Sequence, residues 1–384
     1  MNEFFRFSYI YRISFISKNT VLQIITIYGM VFDKRGIYML NLTKPSALKR
    51  GDKIATVSLS WGGAGDKEVL WRYYQGKEKL QDEFGLEVIE MEHTLKGSEY
   101  LYKHPEKRSE DFMNAFKDTS IKGIFSCIGG EESIRMLPFI DLNVIKENPK
   151  VFIGYSDTTI GHMMCLTAGL SSFYGPAILS EFAENIRMFD YTKHWVNKIL
   201  FNTEQIGEVH SSSIWISEHL AWDEGNKNIS RNTKAHDGVE ILQGNGKVKG
   251  QLIGGCIEVL EMIKGTKIWP EENVWNDTIL FFETSEDTPS PKYFEYWLRN
   301  YGSQGILEKV KGIIFGKPYD NKYYEEYKKV IRKVISDELD LKDLPIMYNM
   351  NFGHTSPMMI IPYGALAEID CNNIKFSILE SGVL

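Results

Sequence analysis

The sequence predicts an α/β fold in two parts, an N-terminal doubly wound parallel sheet and a C-terminal α/β domain richer in strands. From Lys53 onward, short apolar runs alternate with amphipathic stretches, which is typical of parallel strands joined by helices. The end of the chain instead carries consecutive strand-like runs and closes in a hairpin. A chain of 384 residues is also long enough for two hydrophobic cores.

In the first half, each strand-like run is followed by a helical or glycine-rich stretch. The predicted strands are KIATVSLS, GLEVIEME, IKGIFSCIGG and KVFIGYSD, and the predicted helices are KEVLWRYYQGKEKLQDEF, PEKRSEDFMNAFKD, SIRMLPFI and TTIGHMMCLTAG. Sheets of this Rossmann- or flavodoxin-like kind place their ligand sites at the carboxyl ends of strands. Gly129, Gly130 and Ser156 all fall at such ends.

Residues 201–245 break this alternation, because they are polar and rich in Asn, Ser and Lys. They predict a linker with a long substrate loop, set between an N-terminal domain of residues 39–200 and a C-terminal domain of residues 246–384. The predicted C-terminal elements are GKVKGQLIGG, CIEVLEMIKG, TILFFE, KYFEYWLRNYG, VKGIIFG and the hairpin of ALAEID and IKFSILE.

The first 38 residues are aromatic-rich and slightly basic, unlike the rest of the chain. Their apolar run, residues 21–32, is too short to span a bilayer, and no small-residue cleavage site follows it. Domain-like sequence begins at Met39. We therefore expect residues 1–38 to be an extension outside the fold, and we expect no stable membrane association.

Composition excludes several classes of function. The net charge of −7 and the lack of a basic cluster with interleaved aromatics argue against a nucleic-acid partner. The four cysteines are far apart and form no CxxC pair, which disfavours a zinc site and a disulfide framework. We expect reduced thiols in a cytoplasmic protein, with no metal and no cofactor.

The segment VFIGYSDTT is the sharpest local signal in the chain. A strand meets a helix at a Gly-x-Ser-x-Thr turn, which is similar to the nucleophile elbow of serine hydrolases. Gly154 relieves crowding next to Ser156, whereas Thr158 replaces the usual second glycine. A serine before a helix can equally be an N-cap, so the motif alone leaves both interpretations open.

A nucleophilic serine needs a base and an acid that orients the base. His354 follows an apolar stretch in MNFGHTSP and is the candidate base, although an exposed loop histidine would look the same. Glu283 ends the strand-like TILFFE and is the candidate acid, with Asp157 and Glu258 as competitors. Backbone N–H groups at Gly129 or Gly130 and at Asp157 are candidates for an oxyanion hole.

Several motifs together resemble the LD-carboxypeptidase family, which includes the microcin C immunity proteins. They are CIGGEESIRMLPFIDLNVIKENPKVFIGYSDTT, FYGPAI, KGQLIGG, TILFFE, VKGIIFG and FGHTSPMMIIPYGALAEID, spread over about residues 45–380. The resemblance implies a serine peptidase in which Ser156, Glu283 and His354 form the triad. It also implies oxyanion donors at Gly130 or Gly129 and at Asp157, and a homodimer without metal.

The family divides by substrate, either murein tetrapeptides or an aminoacyl or peptidyl nucleotide whose amide bond is cut. The middle loop carries Trp215 and Trp222 and is similar to the loop with which the immunity branch stacks a nucleobase. Tryptophans that merely pack the loop onto the body are the alternative. Lys292 is the candidate contact for a substrate carboxylate or phosphate. The alternatives to nucleotide hydrolysis are a murein LD-carboxypeptidase and a non-catalytic protein of the same fold that sequesters its ligand.

Overall fold

The computed structural model describes side chains for residues 40–216 and 218–384, and the backbone of four strands before them. These strands are β1 Tyr11–Ser14, β2 Gln23–Ile27, β3 Met30–Phe32 and β4 Tyr38–Met39. They pair in that order as an antiparallel sheet within a unit of residues 1–41, and residues 42–384 form a second compact unit. The other residues of the predicted extension 1–38 lie outside the described part of the chain.

The elements of the first half follow the predicted alternation. The strands are β5 Lys53–Val57, β6 Glu87–Glu90, β7 Ile121–Ser126, β8 Val151–Gly154 and β9 Phe173–Tyr174. The helices are α1 Leu70–Phe84, α2 Ser98–Lys103, α3 Pro105–Lys117, α4 Leu142–Glu147, α5 Thr159–Ala168 and α6 Asp190–Leu200. Both α1 and α5 end at a glycine in the left-handed conformation, Gly85 and Gly169.

The elements of the second half are mostly strands. They are β10 Gly207–Glu208, β11 Ile214–Ile216, β12 Thr233–Ala235, β13 Glu240–Gln243, β14 Lys247–Cys256, β15 Thr278–Glu283, β16 Gly312–Gly316, β17 Ile346–Met350, β18 Ile361–Pro362, β19 Leu366–Asp370 and β20 Lys375–Ile378. The helices are α7 Ile257–Ile263, α8 Pro291–Ser303 and α9 Tyr324–Ile331.

Two sheets organise residues 42–384. The first has the order β18-β9-β8-β7-β5-β6, with β6, β5, β7, β8 and β9 parallel. The second has the order β10-β20-β19-β14-β15-β16-β17-β13, with β14 to β17 parallel and antiparallel strands on both sides. The predicted fold class is confirmed: a parallel sheet with helices is joined to a second, mixed sheet.

The central strands are mostly apolar, as expected for parallel strands covered on both faces. All four residues of β8 and all six of β15 are buried. Such strands are fixed by packing, so the residues at their carboxyl ends have fixed positions as well. Ser156 follows β8, Glu283 ends β15, and His354 follows β17.

Strand pairing differs from the predicted division of the chain. Within residues 201–245, β10 and β13 pair with the second sheet, while β11 and β12 form a separate hairpin. In the other direction, β18 pairs antiparallel with β9 and so extends the first sheet. These pairings join residues that are distant in the sequence, and local periodicity carries no information about them.

Candidate active site

Ser156 lies in a tight turn between β8 and α5. Its φ is +61°, a left-handed conformation that costs energy for a residue with a Cβ atom. Two hydrogen bonds fix this turn: the Ser156 N–H donates to the Tyr174 hydroxyl at 3.1 Å, and the Thr159 hydroxyl donates to the Ser156 carbonyl at 2.7 Å. The turn therefore has the backbone form of a nucleophile elbow.

Two glycines leave the space in which this turn fits. A Cβ atom on Gly129 would lie 2.6 Å from the Ser156 Cβ and 2.7 Å from its hydroxyl oxygen. A Cβ atom on Gly154 would lie 2.7 Å from a methyl carbon of Thr158. All three distances are too short for non-bonded atoms. A side chain at Gly154, two residues before Ser156, or at Gly129, next to Ser156, would therefore displace the turn.

The structure brings the three candidate catalytic side chains into one line. Nε2 of His354 lies 3.0 Å from the Ser156 hydroxyl oxygen, and Nδ1 lies 2.7 Å from a carboxylate oxygen of Glu283. The His354 backbone N–H also donates to Glu283, at 3.2 Å. Glu283 is 2% exposed, so its carboxylate is held by these bonds and not by water.

A second carboxylate contacts the same histidine. A carboxylate oxygen of Glu286 lies 2.8 Å from Nε2 of His354. Burial alone would lower the pKa of His354, but Glu283 and Glu286 raise it well above its usual value. Burial would likewise raise the pKa of Glu286, whereas the bond to His354 lowers it to about 2. The imidazole of His354 thus lies between two carboxylates, and both of them favour its protonated form.

The competitors for the acid role have other partners. The Asp157 carboxylate accepts the Ser133 N–H at 2.8 Å, and burial raises its pKa. Glu258 accepts the backbone N–H and the hydroxyl of Ser285, both at 2.8 Å. Neither carboxylate is bonded to His354 in the described residues.

Of the candidate oxyanion donors, Gly129 and Asp157 have backbones that adjoin Ser156. A Cβ atom on Gly129 would be 3.2 Å from the Asp157 nitrogen, so these two backbones approach each other beside the serine. Gly129 and Gly130 both line a cleft of about 780 Å³, together with His354. The Asp157 N–H lies in the short 3₁₀ turn that leads into α5, near the positive end of the helix dipole.

The two tryptophans of the middle loop have different environments. Trp222 lines the cleft opposite Trp61, with the ring centres 6.2 Å apart, and the Arg72 guanidinium lies 4.8 Å from its ring centre. Trp215 is 5% exposed and is not among the residues lining the cleft. Its indole N–H donates to the Ala235 carbonyl at 3.1 Å across the β11–β12 hairpin. The sequence predicts both Trp215 and Trp222 as substrate contacts, but only Trp222 lines the cleft. The pairing of β11 with β12 leaves Trp215 buried.

Lys292 is not in the cleft. It is exposed near the start of α8, with its ammonium 5.7 Å from the ring centre of Tyr296. The cations that line the cleft are Arg72 and Arg231, and Arg231 is paired with the buried Glu184. Sequence reasoning missed these arginines because neither lies in a recognisable motif.

Tyr174 and Glu286 were missed for a different reason, since both lie in segments that the sequence marks. Tyr174 belongs to FYGPAI, and Glu286 follows Glu283 by three residues. Their contacts with the candidate triad depend on turns that sequence patterns do not define. Among residues 40–216 and 218–384, no three His, Cys, Asp or Glu side chains converge into a group that could hold a metal ion.

Two family models match the chain in the order of its two sheets. The LD-carboxypeptidase N-terminal domain matches residues 54–175, and the LD-carboxypeptidase C-terminal domain matches residues 249–369. In the part of the chain that the structure describes, no helix is both long and apolar enough to cross a membrane.

Known proteins with the same architecture match most of the chain. The Microcin C7 self-immunity protein MccF of Escherichia coli is 32% identical over 314 residues, which is 80% of this chain and 88% of that protein. An MccF-like protein from Streptococcus pneumoniae, solved in complex with AMP, is 30% identical with a TM-score of 0.78. That match covers 85% of this chain and 98% of the other.

MccF solved in complex with aspartyl sulfamoyl adenosine is 28% identical, with a TM-score of 0.76 over 89% of this chain and 100% of the other. Family models in both halves and a relative above 30% identity agree with one another. The chain belongs to the LD-carboxypeptidase family of serine-type peptidases.

Proposed function

We propose that this protein hydrolyses the amide bond that joins an aminoacyl or peptidyl group to a nucleotide, and thereby detoxifies compounds of the microcin C type. The observation that carries the proposal is the line of hydrogen bonds from Glu283 through His354 to Ser156, with distances of 2.7 and 3.0 Å. This is the arrangement that a serine nucleophile requires, with a base that is oriented by a buried acid.

In the proposed reaction, His354 in its neutral form takes the proton from the Ser156 hydroxyl as the oxygen attacks the carbonyl carbon. The negative charge that develops on the carbonyl oxygen is held by the N–H groups of Asp157 and of Gly130 or Gly129. His354 then gives its proton to the leaving nitrogen, the amide bond breaks, and an acyl-enzyme remains on Ser156. A water molecule, deprotonated by His354, releases the acid and restores the serine.

The cleft supports a nucleotide as the leaving half of the substrate. Trp222 and Trp61 both line it, with their ring centres 6.2 Å apart, and stacking of a base on an aromatic ring contributes about 1–3 kcal/mol. Arg72 backs the Trp222 ring and holds it in place. Similar proteins have been solved with AMP and with aspartyl sulfamoyl adenosine. The family resemblance further supports a homodimer, which light scattering of the purified chain tests directly. The four free cysteines support a reducing, cytoplasmic compartment.

The test compares two substrates on the purified full-length protein. We expect turnover of an aminoacyl sulfamoyl adenosine, with kcat lowered by several orders of magnitude in Ser156→Ala. Ser303→Ala, at an exposed serine of α8, is the matched control and should turn over normally. Preferential turnover of a murein tetrapeptide would instead assign the protein to cell-wall recycling. Tight nucleotide binding without hydrolysis of either substrate would indicate a sequestering protein.

A further inference from the structure

Glu286 occupies an unusual position for a residue outside the proposed triad. Its carboxylate oxygen lies 2.8 Å from the same His354 nitrogen that lies 3.0 Å from the Ser156 hydroxyl oxygen. The side chain is 59% exposed and lines the cleft, so it faces the space that a substrate would enter.

This contact is incompatible with the first step of the proposed reaction. A nitrogen bonded to a carboxylate carries a proton, whereas the base must present a free lone pair to the serine hydroxyl. The bond between Glu286 and His354 must therefore break before Ser156 can attack. A group that binds Glu286 more favourably than the imidazolium would break it.

The surroundings of Glu286 leave a place for such a group. Among residues 40–216 and 218–384, no Lys or Arg lies within ion-pair distance of Glu286, and the nearby cleft residues are Tyr155, Tyr319 and His219. Arg231, which lines the same cleft, is already paired with Glu184. In the described part of the chain, the carboxylate thus faces the cleft without a Lys or Arg partner.

The distances also indicate which half of the substrate meets Glu286. The Ser156 hydroxyl oxygen and the Glu286 carboxylate bond to one nitrogen, so their separation is less than the sum of those two distances. Groups on either side of the scissile carbonyl lie within that range of the attacking oxygen, so Glu286 lies beside the scissile bond. Trp61 donates its backbone N–H to the Gly129 carbonyl at 3.1 Å, and Trp222 lies beside Trp61, so the wall proposed for the nucleotide half adjoins the Gly129 side of Ser156. The neighbours of Glu286 are instead His354, Tyr155 and Tyr319, and this leaves the acyl half to meet Glu286.

We infer that Glu286 is a specificity-determining residue that binds an ammonium group on the acyl half of the substrate. This inference rests on the proposed function and adds a substrate class to it. An incoming ammonium takes the carboxylate from His354, and the imidazole then loses its proton to solvent and becomes the base for Ser156. An acyl half that carries a carboxylate, or no charge, leaves the pair intact and reacts slowly.

Two sources of the ammonium share this chemistry, the α-amine of an N-terminal acyl residue and the side chain of a lysine-like residue. Four substrates separate them: lysyl and norleucyl sulfamoyl adenosine, each with a free and an N-acetylated α-amine. We expect removal of the recognised ammonium to lower kcat/KM by about twofold to fivefold in the wild type, a typical range for a partly exposed ion pair. If kcat/KM falls on N-acetylation, Glu286 recognises the α-amine. If kcat/KM falls from lysyl to norleucyl, Glu286 recognises the side-chain ammonium.

The variants decide whether Glu286 is responsible. In Glu286→Gln the ratio between charged and uncharged substrates should fall to about one, and in Glu286→Lys a glutamyl substrate should become the better one. Glu218→Gln is the matched control, because Glu218 lines the same cleft but bonds to Asn232, and its ratio should equal that of the wild type. Equal kcat/KM for all four substrates in the wild type, or an unchanged ratio in Glu286→Gln, would overturn the inference.

A binding experiment separates this inference from the proposed function. Calorimetry with Ser156→Ala measures affinity for the same four compounds without turnover. If the nucleotide compounds bind but those with and without the ammonium bind equally well, the role of Glu286 is contradicted and the proposed function is not. Absence of nucleotide binding contradicts the proposed function.

In that case, the rates of hydrolysis of two tetrapeptides, with lysine or with norleucine before the scissile bond, test the role of Glu286. A wild-type preference for the lysine peptide that disappears in Glu286→Gln would support this role. Equal rates for the two peptides in the wild type would refute it.

Discussion

The hydroxyl of Tyr174 donates a hydrogen bond to Glu283, and its oxygen accepts the N–H of Ser156 at 3.1 Å. One buried phenol therefore links the acid, which ends a strand of the second sheet, to the backbone of the nucleophile turn in the first. Burial raises the pKa of Tyr174 well above its usual value, so the group stays protonated and remains a donor.

We predict that Tyr174→Phe lowers kcat by about tenfold to a hundredfold. The substitution leaves a carboxylate oxygen of Glu283 and the N–H of Ser156 without this partner, at a cost of about 1–3 kcal/mol for an unsatisfied buried group. Steady-state kinetics over a range of pH provides the measurement, since a change confined to stability would not alter the profile. Tyr348→Phe is the control, because that buried hydroxyl bonds to the Tyr324 carbonyl. Equal losses of kcat in Tyr174→Phe and Tyr348→Phe would contradict a role of Tyr174 in positioning Glu283 and Ser156.

The pH dependence of activity should report the two carboxylates around His354. Glu283 and Glu286 raise the pKa of His354 above the usual value of 6.5. Only the neutral imidazole can act as the base, so kcat/KM should fall as the pH drops through this raised pKa. Glu286→Gln removes one of the carboxylates and should move this acid limb to lower pH. Profiles of kcat/KM for wild type and variant check the sign. A limb that stays in place would mean that Glu286 does not influence the base during turnover.

The different environments of the two tryptophans predict different phenotypes. Trp222→Ala should weaken AMP binding by about fivefold to a hundredfold, as expected for loss of a stacking platform worth about 1–3 kcal/mol. Trp215→Ala should leave the Kd for AMP nearly unchanged and lower the thermal midpoint, because removing a buried aromatic costs about 3–5 kcal/mol. Calorimetry and thermal unfolding on both variants give the comparison. The assignment fails if Trp215→Ala loses AMP affinity while Trp222→Ala retains it.

We predict that protonation of His162 lowers the stability of the folded protein in mild acid. The ring is fully buried between the Ser172 hydroxyl and the Gly154 carbonyl, each 2.9 Å away, and burial lowers its pKa to about 3. In the unfolded chain the pKa is about 6.5, so the unfolded state binds more protons between pH 6.5 and 3, and stability falls as the pH falls through that window. This group alone should cost about 2 kcal/mol at pH 5 relative to pH 7.

Urea unfolding at pH 7 and pH 5 measures the effect of His162. The shift of the midpoint between the two pH values should be smaller in His162→Gln than in the wild type, because glutamine does not titrate. The exposed His210 offers a control substitution, His210→Gln, that should keep the wild-type shift. An identical shift in all three proteins would show that His162 does not contribute to acid sensitivity.

The sequence predicts much of this architecture because the relevant signals are local. Strands β5, β7, β8 and β15 appear as apolar runs with turn residues at their ends, and Ser156 and Glu283 follow from where such runs stop. The turn at Ser156 is also marked by Gly154, whose lack of a side chain is needed there.

What could not be predicted depends on contacts between distant segments. Trp215 and Trp222 lie seven positions apart in one polar loop, and only the pairing of β11 with β12 determines which of them is buried. Lys292 is close to Glu283 in sequence, but α8 places it at the surface away from the cleft. Glu286 reaches His354 because the chain turns immediately after β15, and no periodic pattern encodes that turn.

The antiparallel pairing of β18 with β9 has a consequence for how the protein is made. Until the ribosome has added Ile361 and Pro362, β9 has an unpaired edge beside the residues that hold Ser156. The stretch that covers this edge comes directly after the one that delivers His354. A nascent chain therefore gains its proposed base and covers this edge within a few residues of synthesis, so chains that end before residue 354 lack both.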